Sequence, residues 1–220
     1  MDIKKIKLII FDGNQILYNA KPAAIEFNKL FENFLKKNNS KFSLITAGKL
    51  WTKIQKVGEE NKLNPKDTKI KYLSELGLSG CINEYEKIES KAMEKAEILD
   101  QDGPKTLELL KKIYILSILS DTARKPKELR EFLNRIGFDN IFDNIFTSSS
   151  IHFTKPDPRS YYKVLEYYSL NPEEALFIGH DDKELEGAKN IKMNIIAYGI
   201  KYKNCISINK LTELISIMKS

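Results

Sequence analysis

Four short stretches of the chain carry side chains able to attack or bind a small anionic group. Asp12 closes the apolar run IKLIIFD, and Ser120 and Asp121 close YILSILSD. Lys155 stands in FTKPDPRSYY, and GHDDKELEGAKN presents His180, Asp181, Asp182 and Glu184 in quick succession. A carboxylate nucleophile divides a difficult displacement into two easier ones through a covalent intermediate. An ammonium and a hydroxyl beside it would bind the oxyanion that develops. Each residue alone has a plainer reading, because an Asp after a strand is more often a turn residue or a helix cap. Four such groups at the corresponding ends of four elements are harder to assign to turns.

Strands must position them. Five runs, residues 6–11, 113–119, 144–147, 175–178 and 194–198, are almost continuously apolar, which predicts strands covered on both faces of a parallel sheet. Helical spacing marks 127–136, 157–168, 182–190 and 208–218; the second opens near Pro158, and the last follows Ser207 as a cap. This alternation predicts an α/β class with a Rossmann-like, doubly wound parallel sheet. Ligands bind such sheets beyond the carboxyl ends of the strands, where Asp12, Ser120 and the loop from Gly179 fall.

The first crossover is different. It occupies residues 20–99, far more than the ~30 residues of a whole βαβ unit. Helical patterns at 21–37, 49–61, 66–76 and 83–99, with breaks at Asn64-Pro65 and 77–80, predict an inserted α-helical subdomain. Trp51, flanked by Lys49 and Lys53, reads as part of its core. Pro104 opens a return helix over 105–112. The expected division is a core of residues 1–19 and 100–220 and an insert of 20–99.

Of the 220 residues, 42% are hydrophobic, enough to bury a core. The net charge of +6 is spread along the chain, with lysines alternating with glutamates as in KIESKAMEKAEILD; that is a solvated helix face rather than a nucleic-acid patch. No apolar run approaches the ~20 residues that span a bilayer, and the first residues lead straight into a strand pattern without a leader signature. Cys81 and Cys205 are isolated and indicate neither a zinc site nor a disulfide framework. The expectation is a cytoplasmic protein with no nucleic-acid or membrane partner.

In order and context, these stretches resemble the haloacid dehalogenase (HAD) superfamily of hydrolases over nearly the whole chain. Asp12 falls on the nucleophile of the first motif, D-x-D-G-T or D-x-D-G-V, and Ser120 on the second-motif Ser or Thr. Lys155, in K-P-D-P, falls on the third-motif lysine, and GHDDKELEGAKN resembles the fourth motif, G-D-x-x-x-D followed by G-A-x-x. The insert resembles the family's cap. The resemblance implies a phosphatase acting on a small phosphorylated metabolite, with Mg2+ as cofactor, as a monomer or homodimer. It implies Asp12 as nucleophile, with Ser120, Asp121, Lys155 and Asn14 around the phosphate. It places metal on Asp12 and on Asn14 through its backbone carbonyl, and Asp181 and Asp182 are the acids of the fourth-motif loop expected to complete the metal site.

The departures are specific. Asn14 stands where the family's phosphatases carry the aspartate that protonates the leaving group and then activates water, and an amide cannot carry a proton through that cycle. Gln15 and Ile16 replace Gly and Thr; Gln takes a positive φ less cheaply than Gly, so Gly13 is expected to absorb part of the strain. His180 occupies the first aspartate position of the fourth motif and Glu184 the second. Imidazole is a poor partner for Mg2+. Either Asp181 or Asp182 takes over the contact, or the metal binds weakly, or His180 serves as the missing base, for which its ordinary pKa near ~6.5 is suited. Besides a phosphatase, two readings stay open. One is a catalytically weakened HAD-fold protein that binds a phosphorylated ligand or a protein partner. The other is a metal-independent hydrolase of the dehalogenase kind, whose Tyr at the position of Asn14 and cap-facing Arg have no match here.

Overall fold

The computed structural model describes residues 2–60, 63 and 65–219. The chain forms two compact units, Met1–Tyr18 with Ile98–Ser220, and Asn19–Glu97. Strands β2 (Tyr18–Asn19) and β3 (Glu97–Ile98) pair with each other where the chain passes between the units.

The larger unit is built on β1 (Leu8–Phe11), β4 (Ile115–Ser120), β5 (Asn144–Thr147), β6 (Ala175–Gly179), β7 (Asn194–Tyr198) and β8 (Ile206–Ile208). They form one sheet in the order β5-β4-β1-β6-β7-β8, and every pairing is parallel. Strand β1 is central, which is why Leu8, Ile9, Ile10 and Phe11 are all fully buried and all apolar. Its two faces meet different helices. Leu8 and Ile10 pack with Tyr161, Val164 and Leu165 of α8 (Pro158–Tyr168) and Leu185 and Ala188 of α9 (Asp182–Asn190). Ile9 and Phe11 point the other way by strand alternation. Phe11 meets Phe142 edge-on at 5.9 Å, and the buried Leu107 and Leu110 of α5 (Gly103–Lys111) and Leu129, Phe132 and Leu133 of α6 (Pro126–Arg135) lie outside the cluster around Leu8 and Ile10.

From β1 the chain builds outward through β4 and β5, then returns to the opposite side of β1 with β6. The strand order therefore reverses between β1 and β6, which opens a crevice at their carboxyl ends. Phe11 pairs with both Ile118 and Ile178, so Asp12, Ser120 and His180 leave the sheet at nearly one level.

The smaller unit consists of α1 (Lys21–Lys37), α2 (Leu44–Glu60), α3 (Pro65–Glu75) and α4 (Ile82–Ala92) around Phe31, Phe34, Leu73, Tyr72 and Tyr85. Trp51 lies edge-on to Tyr72 at 5.0 Å, within this aromatic core, and Lys49 and Lys53 are exposed. Helix α2 begins five residues before its expected start, because Ser43 and Thr46 cap each other: Thr46 N–H donates to Ser43 Oγ and Ser43 N–H to Thr46 Oγ1. The expected helix end at Asn61 and break at Asn64 lie outside the described residues.

Other differences are local. The helix expected over 83–99 stops at Ala92, and β3 follows, since Leu99 N–H is drawn to Leu17 O at 3.2 Å in an extended pairing. The last expected helix, 208–218, shortens to α10 (Glu213–Ile217); Ser207 lies inside β8 rather than capping it, because residues 206–208 add a sixth strand beside β7. A one-turn helix, α7 (Ser148–Ile151), was not anticipated. Among the described residues, no helix is long and apolar enough to cross a membrane.

Candidate active site

One residue past β1, Asp12 N–H still donates to Ile178 O at 3.0 Å, so the sheet ladder itself fixes the backbone of the acid. Its side chain is almost wholly buried, and Oδ1 accepts from Gly13 N–H and from Lys155 Nζ, both at 2.8 Å. Lys155 enters from the loop before α8, with its side chain 1% exposed. Its ammonium also donates to Leu119 O at 3.1 Å, and its backbone N–H donates to Asp121 Oδ2 at 3.1 Å. Asp121 thus anchors the lysine's main chain. Ser120, buried at the end of β4, lies beside Gly13: a Cβ there would stand 3.4 Å from Ser120 Oγ, at van der Waals contact.

His180 and Glu184 complete the arrangement. His180 follows β6 directly, and its Nδ1 lies 2.9 Å from Asp12 Oδ2. The approach is off the line of a hydrogen bond, so Nδ1 remains without an aligned partner and the contact is electrostatic. Glu184, on the first turn of α9, places Oε2 3.2 Å from Lys155 Nζ, again without hydrogen-bond alignment. That turn is braced from α8, where the buried Tyr161 hydroxyl donates to Glu184 O at 2.7 Å.

Burial and charge act against each other here. Burial alone would raise the Asp12 carboxyl, but the Lys155 ammonium and the neighbouring His180 outweigh it and hold Asp12 below its ordinary value. Burial would lower Lys155, yet Asp12, Asp121 and Glu184 together hold it above the usual lysine range, firmly charged. Contact with Asp12 raises His180 against a smaller effect of burial. Glu184 is pushed up to about 7 by burial, opposed by Lys155 and reinforced by the negative Asp12. Nearby, Tyr18 is raised to about 12, mainly by burial.

The remaining expected site residues are placed differently. Asp181 is the N-cap of α9: its Oδ1 accepts from Lys183 N–H at 2.9 Å and Glu184 N–H at 3.2 Å, and it is exposed. Asp182 is also exposed, on the helix itself. The residues whose ligand atoms gather within 4.8 Å of one another are Asp12, His180 and Glu184. Asn14 is half-buried, and its Oδ1 has no hydrogen-bond partner. In the turn between them, it is Gln15 that takes the left-handed conformation, at φ 60°, and not Gly13, because the turn closes through Gln15 N–H to Tyr18 O and Leu17 N–H to Gly13 O. The signal for Glu184 over Asp181 is present in the sequence: D-x-x-E at a helix start marks its first residue as the cap.

As a cation site, this donor set combines two carboxylates with an imidazole, and its histidine nitrogen, Glu184 Oε2 and Asn14 Oδ1 are buried without aligned partners. Mg2+ requires near-octahedral oxygen ligation and seldom takes nitrogen. The residues offer a place for a divalent ion, but they fit Mg2+ poorly.

Comparison with known proteins agrees with this fold. Over 122 residues the chain is 28% identical to the pyrophosphatase PpaX of Bacillus cereus (strain G9842); the match covers 51% of this chain and 56% of that protein. The chain thus spans about half the length of the curated relatives it matches. In fold it is similar to a 2-haloacid dehalogenase from Pseudomonas syringae pv. tomato, with a TM-score of 0.80 at 16% identity over 97% of this chain and 98% of that one. It is similar also to a HAD phosphatase from Thermococcus onnurineus, with a TM-score of 0.74 at 21% identity over 97% and 98% of the two chains. A family model, haloacid dehalogenase-like hydrolase, matches residues 9–198. With Asp12, Lys155 and the loop of residues 179–184 at the carboxyl ends of one parallel sheet, the chain belongs to the haloacid dehalogenase-like hydrolases.

Proposed function

We propose that the chain is a slow phosphatase acting on a small phosphorylated metabolite through Asp12. The observation that carries this reading is the buried Asp12–Lys155 pair at the switch point of the sheet, with Ser120 beside it. Lys155 holds Oδ1, and Oδ2 faces His180 at 2.9 Å, so the carboxylate is ionised and oriented from both sides. Attack of that carboxylate on phosphorus forms a mixed anhydride and releases the leaving group; water then returns Asp12 and frees phosphate. Lys155 and the Ser120 hydroxyl stabilise charge on the transferring oxygens, and Asp121 positions Lys155 through its main chain. His180 acts as a positioning residue on the second oxygen of the nucleophile. Asn14 can donate an N–H to a phosphoryl oxygen but transfers no proton. The pyrophosphatase relative and the phosphatase neighbour support the substrate class. The helical unit, as the family's cap, would set the choice among substrates.

A second reading, a scaffold that binds a phosphorylated ligand without turning it over, is favoured by the replacement of two carboxylates at Asn14 and His180. Phosphate release from a panel of phosphomonoesters, pyrophosphate and a 2-haloacid control separates them. Release of phosphate that disappears in Asp12→Asn supports the phosphatase. Tight binding of orthovanadate without any release supports the scaffold, and halide release in the presence of a chelator would replace both.

A further inference from the structure

We propose that Asp12, His180 and Glu184 form a mixed nitrogen–oxygen site selective for a borderline divalent transition ion, of the Zn2+ or Co2+ kind, and against Mg2+. This does not rest on the phosphatase reading, because metal binding is measured without turnover.

Several buried polar atoms here are short of aligned partners. Buried polar atoms in folded proteins nearly always have partners. Here His180 Nδ1 and Glu184 Oε2 both lack an aligned one, and both belong to a trio whose ligand atoms lie within 4.8 Å of one another. A third buried oxygen, Asn14 Oδ1, two residues from Asp12, is unpartnered too. The lysine fills this need only in part, since its ammonium lies 3.2 Å from Glu184 Oε2 without hydrogen-bond alignment. Its ammonium is aligned on Asp12 Oδ1 and Leu119 O, which leaves Asp12 Oδ2 facing the imidazole.

Geometry and donor chemistry then select the ion. Ligands bound to a Zn2+-sized ion at ~2.0–2.2 Å stand ~3–3.5 Å from each other. His180 Nδ1 and Asp12 Oδ2, at 2.9 Å, already stand close to that separation. An imidazole with two carboxylates is a donor set familiar for zinc and its first-row neighbours, whereas Mg2+ keeps to oxygen and dehydrates reluctantly. His180 is the residue that changes the preference. It occupies the strand end, where its backbone is fixed by β6, while Glu184 is held one helical turn further on by the Asp181 cap and the Tyr161 hydroxyl.

Every nitrogen–oxygen site favours Co2+ over Mg2+ to some degree. The diagnostic quantity is therefore how the ratio of the two affinities depends on His180. Chelator-stripped protein is titrated with Co2+ and, separately, with Mg2+, and visible absorption, thermal shift and proton NMR are recorded. The chain has two histidines, so one paramagnetically shifted imidazole is expected with Co2+, and it should vanish in His180→Asn. In His180→Asp the Co2+ to Mg2+ affinity ratio should fall at least ~10-fold. Glu184→Gln should weaken Co2+ by a similar factor, while Asp182→Asn, which alters an exposed acid, should not. Circular dichroism checks that each variant is folded, and the imidazole signal of the wild type stands even if one is not. No shifted imidazole in the wild type, an unchanged ratio in His180→Asp, or loss of Co2+ in Asp182→Asn would each overturn the proposal.

Discussion

Lys155 Nζ donates to Asp12 Oδ1 at 2.8 Å in a place where the lysine side chain is 1% exposed and the aspartate 7%. Two opposite charges removed from water this completely depend on each other, and deleting one leaves the other uncompensated. Lys155→Met keeps the length and apolar stem but leaves Asp12, with Glu184 beside it, to carry buried negative charge. Urea denaturation at neutral pH should show a loss of about 3 kcal/mol with an unchanged m-value. If Lys155→Met were as stable as the wild type, the pair would be solvated rather than buried. Phosphate release should be abolished in the same variant.

The titrating groups set how the metal-free protein responds to pH. Glu184 is pushed up to about 7 by burial, above its unfolded value, so between ~4.3 and ~7 the folded state binds a proton that the unfolded state has lost. His180, raised by its contact with Asp12, acts in the same sense: its contribution is full below its unfolded value of ~6.5 and is lost as pH rises through the folded one. Asp12 is lowered, so its contribution is present above ~3.9 and is lost only as pH falls through its folded value. With a chelator present, stability should therefore be greatest in mildly acid solution. It should decline on the order of 2 kcal/mol toward neutral pH. Urea midpoints across that range should show this slope, and Glu184→Gln should flatten it.

Asn14 makes a prediction about leaving groups. With an amide where the family's phosphatases carry their acid, the first displacement should run well only when the departing oxygen leaves readily as an anion, as from a phosphoanhydride or an aryl phosphate. Rates over a series of aryl phosphates should fall steeply as the leaving-group pKa rises, and alkyl monoesters should be the poorest substrates. Asn14→Asp should flatten that dependence and raise turnover of alkyl esters by ~10²–10⁴. Equal rates for aryl and alkyl esters in the wild type would show that another residue supplies the proton.

What could be read in the sequence follows from how local each feature is. The central strands were legible because burial on both faces demands an unbroken apolar run, as at Leu8–Phe11. The edge strand Ile206–Ile208 was not, since three residues beside Tyr198 carry no period that distinguishes them from the start of a helix. Asp12, Ser120 and Lys155 were legible as residues at strand ends or in a distinctive turn. Three acids within four residues were harder to sort. Asp181 is turned to the helix N-terminus by two N–H groups, and Glu184, one turn later, reaches the site instead. The left-handed Gln15 was hidden because only the closing hydrogen bond from its N–H to Tyr18 O reveals which residue of the turn must bend.

The glycine of the GAKN tail has a steric reason that leads to a final prediction. A Cβ on Gly187 would lie 2.7 Å from both Cβ and the carbonyl oxygen of Pro156 and 3.0 Å from its Cα. Two of these are main-chain atoms, so no side-chain rotation relieves the clash. The missing Cβ is what lets α9 press against the residue that follows Lys155, and this approach holds Glu184, one turn before Gly187, next to the ammonium. Gly187→Ala must push α9 away. It should cost about 1–3 kcal/mol in urea denaturation, and it should weaken Co2+ binding by moving Glu184 relative to Asp12. Gly48 provides the control: it lies within α2, where a Cβ would meet nothing within 4 Å. Gly48→Ala should instead stabilise the protein by up to about 1 kcal/mol through helix propensity alone. If Gly187→Ala behaved like Gly48→Ala, the contact of α9 with Pro156 would not be what positions Glu184.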